Sequence, residues 1–295
     1  MSFAASPVAS ALMLLVLWFS WGTNWVVTKL GLAYATAFQL SLLRTVLAVA
    51  TLALIMRLTG RRFTPTPAWP TFLLGLTQTA GFLVFTNLAL VAGGAGKVSV
   101  LCYTMPFWTL ILARVFLHEK LQPLQWLAVA LALAGLLAIL EPWSLGGNWL
   151  SDLLAICGGL VWAASAIIAK RMRAQHSVDT LTLTFWQLLW GTLPLLLLLP
   201  LFPQRELAFS WQLCGILLFS GVLAGGIGWL IWMLLLARLS AGMASLSILA
   251  IPAVAVLMAW LMIGELPSQA EAGGMVLIGA ALLLLSLPHW WRRRG

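Results

Sequence analysis

Charge is scarce in this chain of 295 residues. Only 8% of positions are Asp, Glu, Lys or Arg, and seven are acidic, where an average soluble domain is about 25% charged. None of the seven (Glu119, Glu141, Asp152, Asp179, Glu206, Glu265 and Glu271) falls near the middle of an apolar run. The three histidines, His118, His176 and His289, lie at loops or run ends. The three cysteines, Cys102, Cys157 and Cys214, sit inside apolar runs without metal spacing and are expected as buried, reduced thiols. Paired carboxylates, a His–carboxylate metal site and a nucleophile beside a base are all missing. The chain is therefore not expected to be an enzyme, and no metal or organic cofactor is expected. Linkers and low-complexity tracts are missing too, which leaves no room for a separate soluble domain.

What the chain has is hydrophobic length. Hydrophobic residues make up 62% of it, and runs of about 18 to 25 apolar residues are the length of a membrane-crossing helix. Ten such runs are expected, at roughly 7–29, 35–57, 69–91, 94–116, 122–140, 151–171, 178–201, 210–236, 242–264 and 269–289. The first has no basic segment before it and reads as a retained helix, not a cleaved signal peptide. The fold expected is an all-α integral membrane protein.

Basic residues orient it. The net charge of +9 does not require nucleic acid as a partner, because Lys and Arg collect in the cytoplasmic loops of membrane proteins. With the N-terminus in the cytoplasm, that side holds Arg57, Arg61, Arg62, Arg114, Lys120, Lys170, Arg171, Arg173, Arg238, Arg292, Arg293 and Arg294. The other side holds Lys29, Lys97 and Arg205, and Arg44 remains inside the second run. Both termini are then cytoplasmic, and the number of spans is even. The tail from Trp290 to Arg294 reads as an aromatic belt followed by a basic anchor.

The chain also repeats itself. Ala95–Glu119 matches Ala241–Glu265 at an offset of 146, with Ala95/Ala241, Gly96/Gly242, Ser99/Ser245, Pro106/Pro252, Ala113/Ala259 and Glu119/Glu265 identical. Trp21 and Lys29 match Trp162 and Lys170 at an offset of 141. The matching runs are the fourth and ninth. Five runs separate them, and an odd number reverses direction through the membrane. Two inverted repeats of five helices are expected, 1–145 and 146–295. Each has a midspan proline expected to kink its fourth helix. Broken helices at matching places in two halves point to a transporter site near the bilayer midplane.

These features resemble the drug/metabolite transporter superfamily and, within it, the EamA family. The resemblance rests on Trp21-Gly22-Thr23-Asn24-Trp25 with Lys29, Leu43-Arg44, Ala95-Gly96…Ser99…Pro106…Glu119, and the second copy ending in Gly264-Glu265. It covers nearly the whole chain, and the general pattern is most similar to YddG-type bacterial aromatic amino-acid exporters. The resemblance implies a basket of ten helices around a central cavity lined by runs 1, 3, 4, 6, 8 and 9. It also implies export of small metabolites through the inner membrane.

The candidate substrate-binding residues follow. Ser99, Tyr103 and Pro106, with Ser245 and Pro252 by the repeat, offer hydroxyls and free carbonyls able to hold an ammonium group. Gln78 is polar at depth, with Phe82 one turn on. Of the 17 tryptophans, Trp21 and Trp162 are singled out by the repeat as cavity or gate residues. Arg44 could neutralise a carboxylate, or reach out to the interface. Gly221, Gly225 and Gly228 permit close helix approach or sliding. Glu119 and Glu265 are expected to cap or pair at helix ends, and Asn87 is expected to be structural.

The cargo expected is a small amphiphile, foremost an aromatic or hydrophobic amino acid. The absence of a midspan carboxylate favours facilitated export over proton antiport. Cationic drugs or nucleotide sugars as cargo, proton coupling, and a non-transporting membrane subunit remain the alternatives. Besides lipid and cargo no partner is required, and ten helices suffice for a monomer.

Overall fold

A computed structural model describes residues 7–93, 95–120, 123–140, 149–207, 210–264, 266 and 269–291. Glu141, Glu265, the Arg292–Arg294 anchor and the expected repeat boundary at 145/146 lie outside the described residues, as do the side chains of Lys97, His289, Trp290 and Trp291.

Among the described residues the secondary structure is helical throughout. The helices are α1 (Pro7–Gly31), α2 (Ala37–Leu58), α3 (Ala68–Gly75), α4 (Phe82–Ala92), α5 (Ala95–Cys102), α6 (Met105–Phe116) and α7 (Pro123–Leu140). They continue with α8 (Trp149–Gln175), α9 (Thr180–Leu198), α10 (Trp211–Leu217), α11 (Gly228–Arg238), α12 (Ala241–Ser247), α13 (Ala250–Ile263) and α14 (Gln269–Trp291). A π-wound segment, Leu76–Gly81, joins α3 to α4, and a second, Leu218–Ile227, joins α10 to α11. Each of the ten apolar runs thus lies on helix. Among the described residues, seven helical stretches are long and apolar enough to cross a membrane, and three shorter apolar ones lie at Met105–Phe116, Trp126–Ala138 and Ala272–Ala281.

The surface is that of a membrane protein. Leu12, Phe19, Leu54, Leu197 and Trp211 point outward, while Ser41, Thr45, Gln78, Thr109, Ser165, Thr184 and Gln187 are buried. Hydrocarbon outside imposes this inversion, since a polar side chain turned toward lipid meets no hydrogen-bond partner there. The threonines and serines mostly bond back along their own helices, as Thr45 Oγ1 does to Ser41 O at 2.7 Å.

The helix breaks do not fall on the prolines. The fourth run turns at Tyr103–Thr104, and Pro106 occupies the first turn of α6. The ninth run turns at Ile248–Leu249, three residues ahead of Pro252 in the first turn of α13. A proline lacks an N–H and has a preset φ, so it starts a helix more readily than it bends one. The expected kinks are therefore two-residue interruptions, each placing a new helix start at depth.

Small residues close the bundle. Gly221, Gly225 and Gly226 lie against α2, where an added Cβ would meet Leu47 Cβ at 2.7 Å, Ala48 Cβ at 3.0 Å and Thr51 Cβ at 2.8 Å respectively. Gly135 brings α7 against α14, with Gly274 O at 2.7 Å from such a Cβ. At one end of the bundle, Glu119 accepts from the N–H groups of Ala241 and Gly242 at 2.9 and 3.2 Å and so caps α12. Lys170 Nζ donates to Leu239 O beside it.

Candidate functional site

The centre of the bundle is aromatic. Trp21 from α1, Trp162 from α8 and Trp229 from α11 form a triangle with ring centroids 5.5, 4.9 and 5.9 Å apart. Phe82, at the start of α4, lies 5.1 Å from Trp162, and Tyr103, at the α5–α6 turn, lies 5.7 Å from it. Trp232 backs the cluster 5.6 Å from Trp162, and Trp25 packs 6.3 Å from Tyr103. Most pairs meet edge to face, the geometry that sets the positive edge of one ring on the negative face of another. Gly228 makes this possible, because a Cβ there would overlap the Trp21 indole.

Beside these rings lies a small cavity. Its wall follows helical spacing. On α1 it takes Trp21, Asn24, Trp25 and Thr28, at steps of three, one and three residues. On α4 it takes Phe82, Leu83, Thr86, Asn87 and Leu90. Arg44 comes from α2, Tyr103 from the α5–α6 turn, Trp162 from α8, Ala224 from the second π-wound segment and Trp229 from α11. The cavity is aromatic toward Trp162 and polar toward Thr28, Arg44 and Asn87. A wider groove between α6 and α7, lined by Phe107, Leu110, Ile111 and Trp126 together with Arg114, Glu119 and Lys120, lies away from the aromatic centre.

Hydrogen bonds fix much of the wall. Trp21 Nε1 donates to Ala224 O at 2.9 Å, and Trp18 Nε1 donates to Ser247 O at 2.8 Å, next to the α12–α13 turn. Tyr103 is hydrogen-bonded to the Trp25 side chain. Asn87 Nδ2 donates to Ser41 Oγ and, at 3.3 Å, to Ala37 O, which ties α4 to α2 as well as facing the cavity. Arg44 donates to Thr28 Oγ1 at 3.5 Å. Two polar atoms on the wall are buried without a partner: Asn24 Oδ1 and Trp162 Nε1.

Of the residues singled out in the sequence, Trp21, Arg44, Phe82, Tyr103 and Trp162 lie on this wall. Gln78, Ser99, Pro106, Ser245 and Pro252 do not. Gln78 lies in the first π-wound segment, fully buried, with both amide atoms unpaired. Its neighbour Thr79 donates to Gln187 Oε1 at 3.2 Å. Ser245 Oγ turns back to Gly242 O at 2.9 Å, and Ser99 is fully buried. Pro106 and Pro252 sit in the first turns of α6 and α13, beyond the breaks. Cys102 is buried, but Cys157 and Cys214 are only partly so, because they sit on faces of α8 and α10 turned toward the outside. Asn24, Trp25, Thr28, Thr86 and Trp229 were not singled out. The first three continue the stripe begun by Trp21 at i+3, i+4 and i+7, the spacing of one helix face.

Comparison with known proteins agrees with this architecture. A model of the EamA-like transporter family matches residues 8–141 and again 149–287. A Salmonella typhimurium protein described as a "probable amino-acid metabolite efflux pump" is 30% identical over 279 residues, covering 90% of each chain. A "probable terminal-alkyne amino-acid exporter" of Streptantibioticus cattleyicolor is 26% identical over 291 residues, covering 98% of this chain and 96% of the relative. A "riboflavin transporter" of Rhizobium johnstonii is 30% identical over 214 residues, covering 68% and 66%. One solved crystal structure superposes with a TM-score of 0.79 at 20% identity, over 96% of this chain and 98% of the other, and shows the same fold. The relatives are named as transporters and not as enzymes. This chain, an integral membrane protein, belongs to the EamA-like transporter family.

Proposed function

We propose that this protein exports small amphiphilic metabolites, foremost aromatic or hydrophobic amino acids, across a bacterial inner membrane by alternating access. The observation that carries this reading is the contact between Trp21 and Trp162 at 5.5 Å on the cavity wall. The two are counterparts in the sequence repeat. Two residues related by a two-fold axis touch only where the axis passes, so the contact supports a cavity on the axis of two inverted halves. The two successive family matches, 8–141 and 149–287, support halves divided near 145. So do the paired features: π-wound segments in the third and eighth runs, and two-residue turns in the fourth and ninth.

Alternating access needs helices that change shape at fixed points. The four interruptions supply them, and all adjoin or flank the aromatic centre. With both termini in the cytoplasm, the Glu119 cap and the Lys170–Leu239 bond close the cytoplasmic end of the bundle. The cavity then lies between the aromatic centre and the outer end, as it would in a state closed toward the cytoplasm.

The cavity's composition supports the cargo class: aromatic rings for an apolar body, and one cation with amide and hydroxyl groups for a polar head. Its wall holds no carboxylate to take up a proton, which favours movement down the cargo's own gradient. Efflux of labelled phenylalanine from proteoliposomes, with and without an imposed pH gradient, tests the reading. Saturable efflux in the absence of a pH gradient is the expected result. Efflux that requires the gradient would replace uniport by antiport, and no efflux of any amino acid from vesicles holding folded protein would exclude this cargo class.

A further inference from the structure

Arg44 carries an unmet chemical demand. It sits in the third turn of α2, is only 9% exposed, and faces the cavity. Among the described residues it has no carboxylate partner, and its one hydrogen bond, to Thr28 Oγ1, is long at 3.5 Å. A guanidinium has five N–H donors in a planar fork that fits a carboxylate edge to edge. A buried cation in a membrane-crossing helix is retained at a cost unless an anion or a set of acceptors joins it.

The surroundings set the size and character of that anion. Thr28, Asn24 and Trp21 follow one another down α1, so Arg44 stands about 10 Å along the helix axis from the Trp21 level. Between them, Asn24 Oδ1 is a buried acceptor without a donor, and Trp162 Nε1, at the aromatic end, is a buried donor without an acceptor. Phosphate would demand more than one cation. A single guanidinium beside neutral amides and hydroxyls suits a monoanion.

We propose that Arg44 binds the carboxylate of the cargo in two parallel hydrogen bonds, so that the molecule enters acid-first at Thr28 with its apolar body against Trp21 and Trp162. This deepens the exporter reading and rests on it for the identity of the bound molecule as cargo. It requires a free acid, and it excludes amides and simple amines of the same shape.

Binding to the purified protein, followed by quenching of intrinsic tryptophan fluorescence, tests it with three probes: phenylalanine, phenylalaninamide and 3-phenylpropanoate. In the wild type, the two acids are expected to bind about 10- to 100-fold more tightly than the amide, the range of a charge-assisted pair. In Arg44→Gln that preference is expected to fall to within about twofold, and in Arg44→Lys, which keeps the charge without the fork, to lie between. Should Arg44→Gln fail to fold, as judged by thermal unfolding, the intermediate ratio of Arg44→Lys carries the test. Equal binding of acid and amide by the wild type would overturn the proposal, as would an undiminished acid preference in folded Arg44 variants. The two readings fail separately. Acid-selective binding without vesicle efflux leaves the carboxylate site and removes the exporter, and efflux of acid and amide alike does the reverse.

Discussion

The indole N–H of Trp21 donates to the backbone carbonyl of Ala224 at 2.9 Å, joining the first helix to a π-wound segment 203 positions further along the chain. One turn earlier, Trp18 does the same for Ser247 O at the end of α12. Irregular backbone in a membrane must be satisfied by protein or water, and here two indoles on one face of α1 do it. Trp21→Phe keeps the ring and removes the donor. It is expected to lower stability by about 1–3 kcal/mol, the cost of leaving a buried acceptor unpaired, read as a lower unfolding temperature in detergent micelles.

Trp162 gives the opposite result at the same depth. Its indole N–H is buried without a partner, although its ring touches Trp21, Phe82, Tyr103, Trp229 and Trp232. Trp162→Phe is expected to cost less stability than Trp21→Phe, because no hydrogen bond is lost, but to weaken binding of aromatic cargo. The pair of variants, compared by thermal unfolding and by phenylalanine binding, separates structural from cargo-facing tryptophan.

Glu119 holds two helices together through the N-terminus of α12, where its carboxylate meets the N–H groups of Ala241 and Gly242. A carboxylate at a helix N-terminus satisfies orphan donors and the helix dipole together. Glu119→Ala is expected to cost about 0.5–2 kcal/mol and to increase labelling, by a water-soluble reagent, of a cysteine placed at Ala244, which is buried one turn into α12. Unchanged labelling would mean that this end is held shut by other contacts.

Gly159 marks where α8 crosses the α5–α6 turn. An added Cβ would stand 2.7 Å from Cys102 O and 3.3 Å from Met105 N. Those are backbone atoms and cannot swing aside, so Gly159→Ala must push α8 from the turn. A loss of about 1–3 kcal/mol is expected, with a matching loss of transport, since Trp162 follows one turn later on the same helix.

Hydrophobic length made most of the helix positions legible. The run expected at 151–171 is α8, Trp149–Gln175, and the one at 242–264 is α12 with α13. The interruptions were less so. Proline announces itself in a sequence but here opens a helix, and the true breaks at Tyr103–Thr104 and Ile248–Leu249 carry no turn residues of their own. The two π-wound segments follow no periodicity that side chains reveal, since one inserted residue in a uniformly apolar stretch leaves no mark. Within the site, the repeat pointed to Trp21 and Trp162. The rest of the wall was hidden because nearly every face of these helices is apolar, and only the polar members of the Trp21 stripe, Asn24 and Thr28, distinguish an inward face from a lipid-facing one. Ser245 shows the converse: a polar side chain at depth can turn back to its own helix instead of a cavity.

The most direct measurement is exchange of labelled phenylalanine across proteoliposomes holding the wild type, Asn24→Ala or Asn24→Phe. Asn24 lines the cavity between Arg44 and the aromatic rings, so phenylalanine at this position fills it while alanine leaves it open. The expected result is saturable exchange by the wild type, retained in part by Asn24→Ala and lowered by about tenfold or more in a stably folded Asn24→Phe, as loss of about 1.4 kcal/mol or more of binding would produce. Exchange by Asn24→Phe at the wild-type rate would contradict passage of cargo through this cavity.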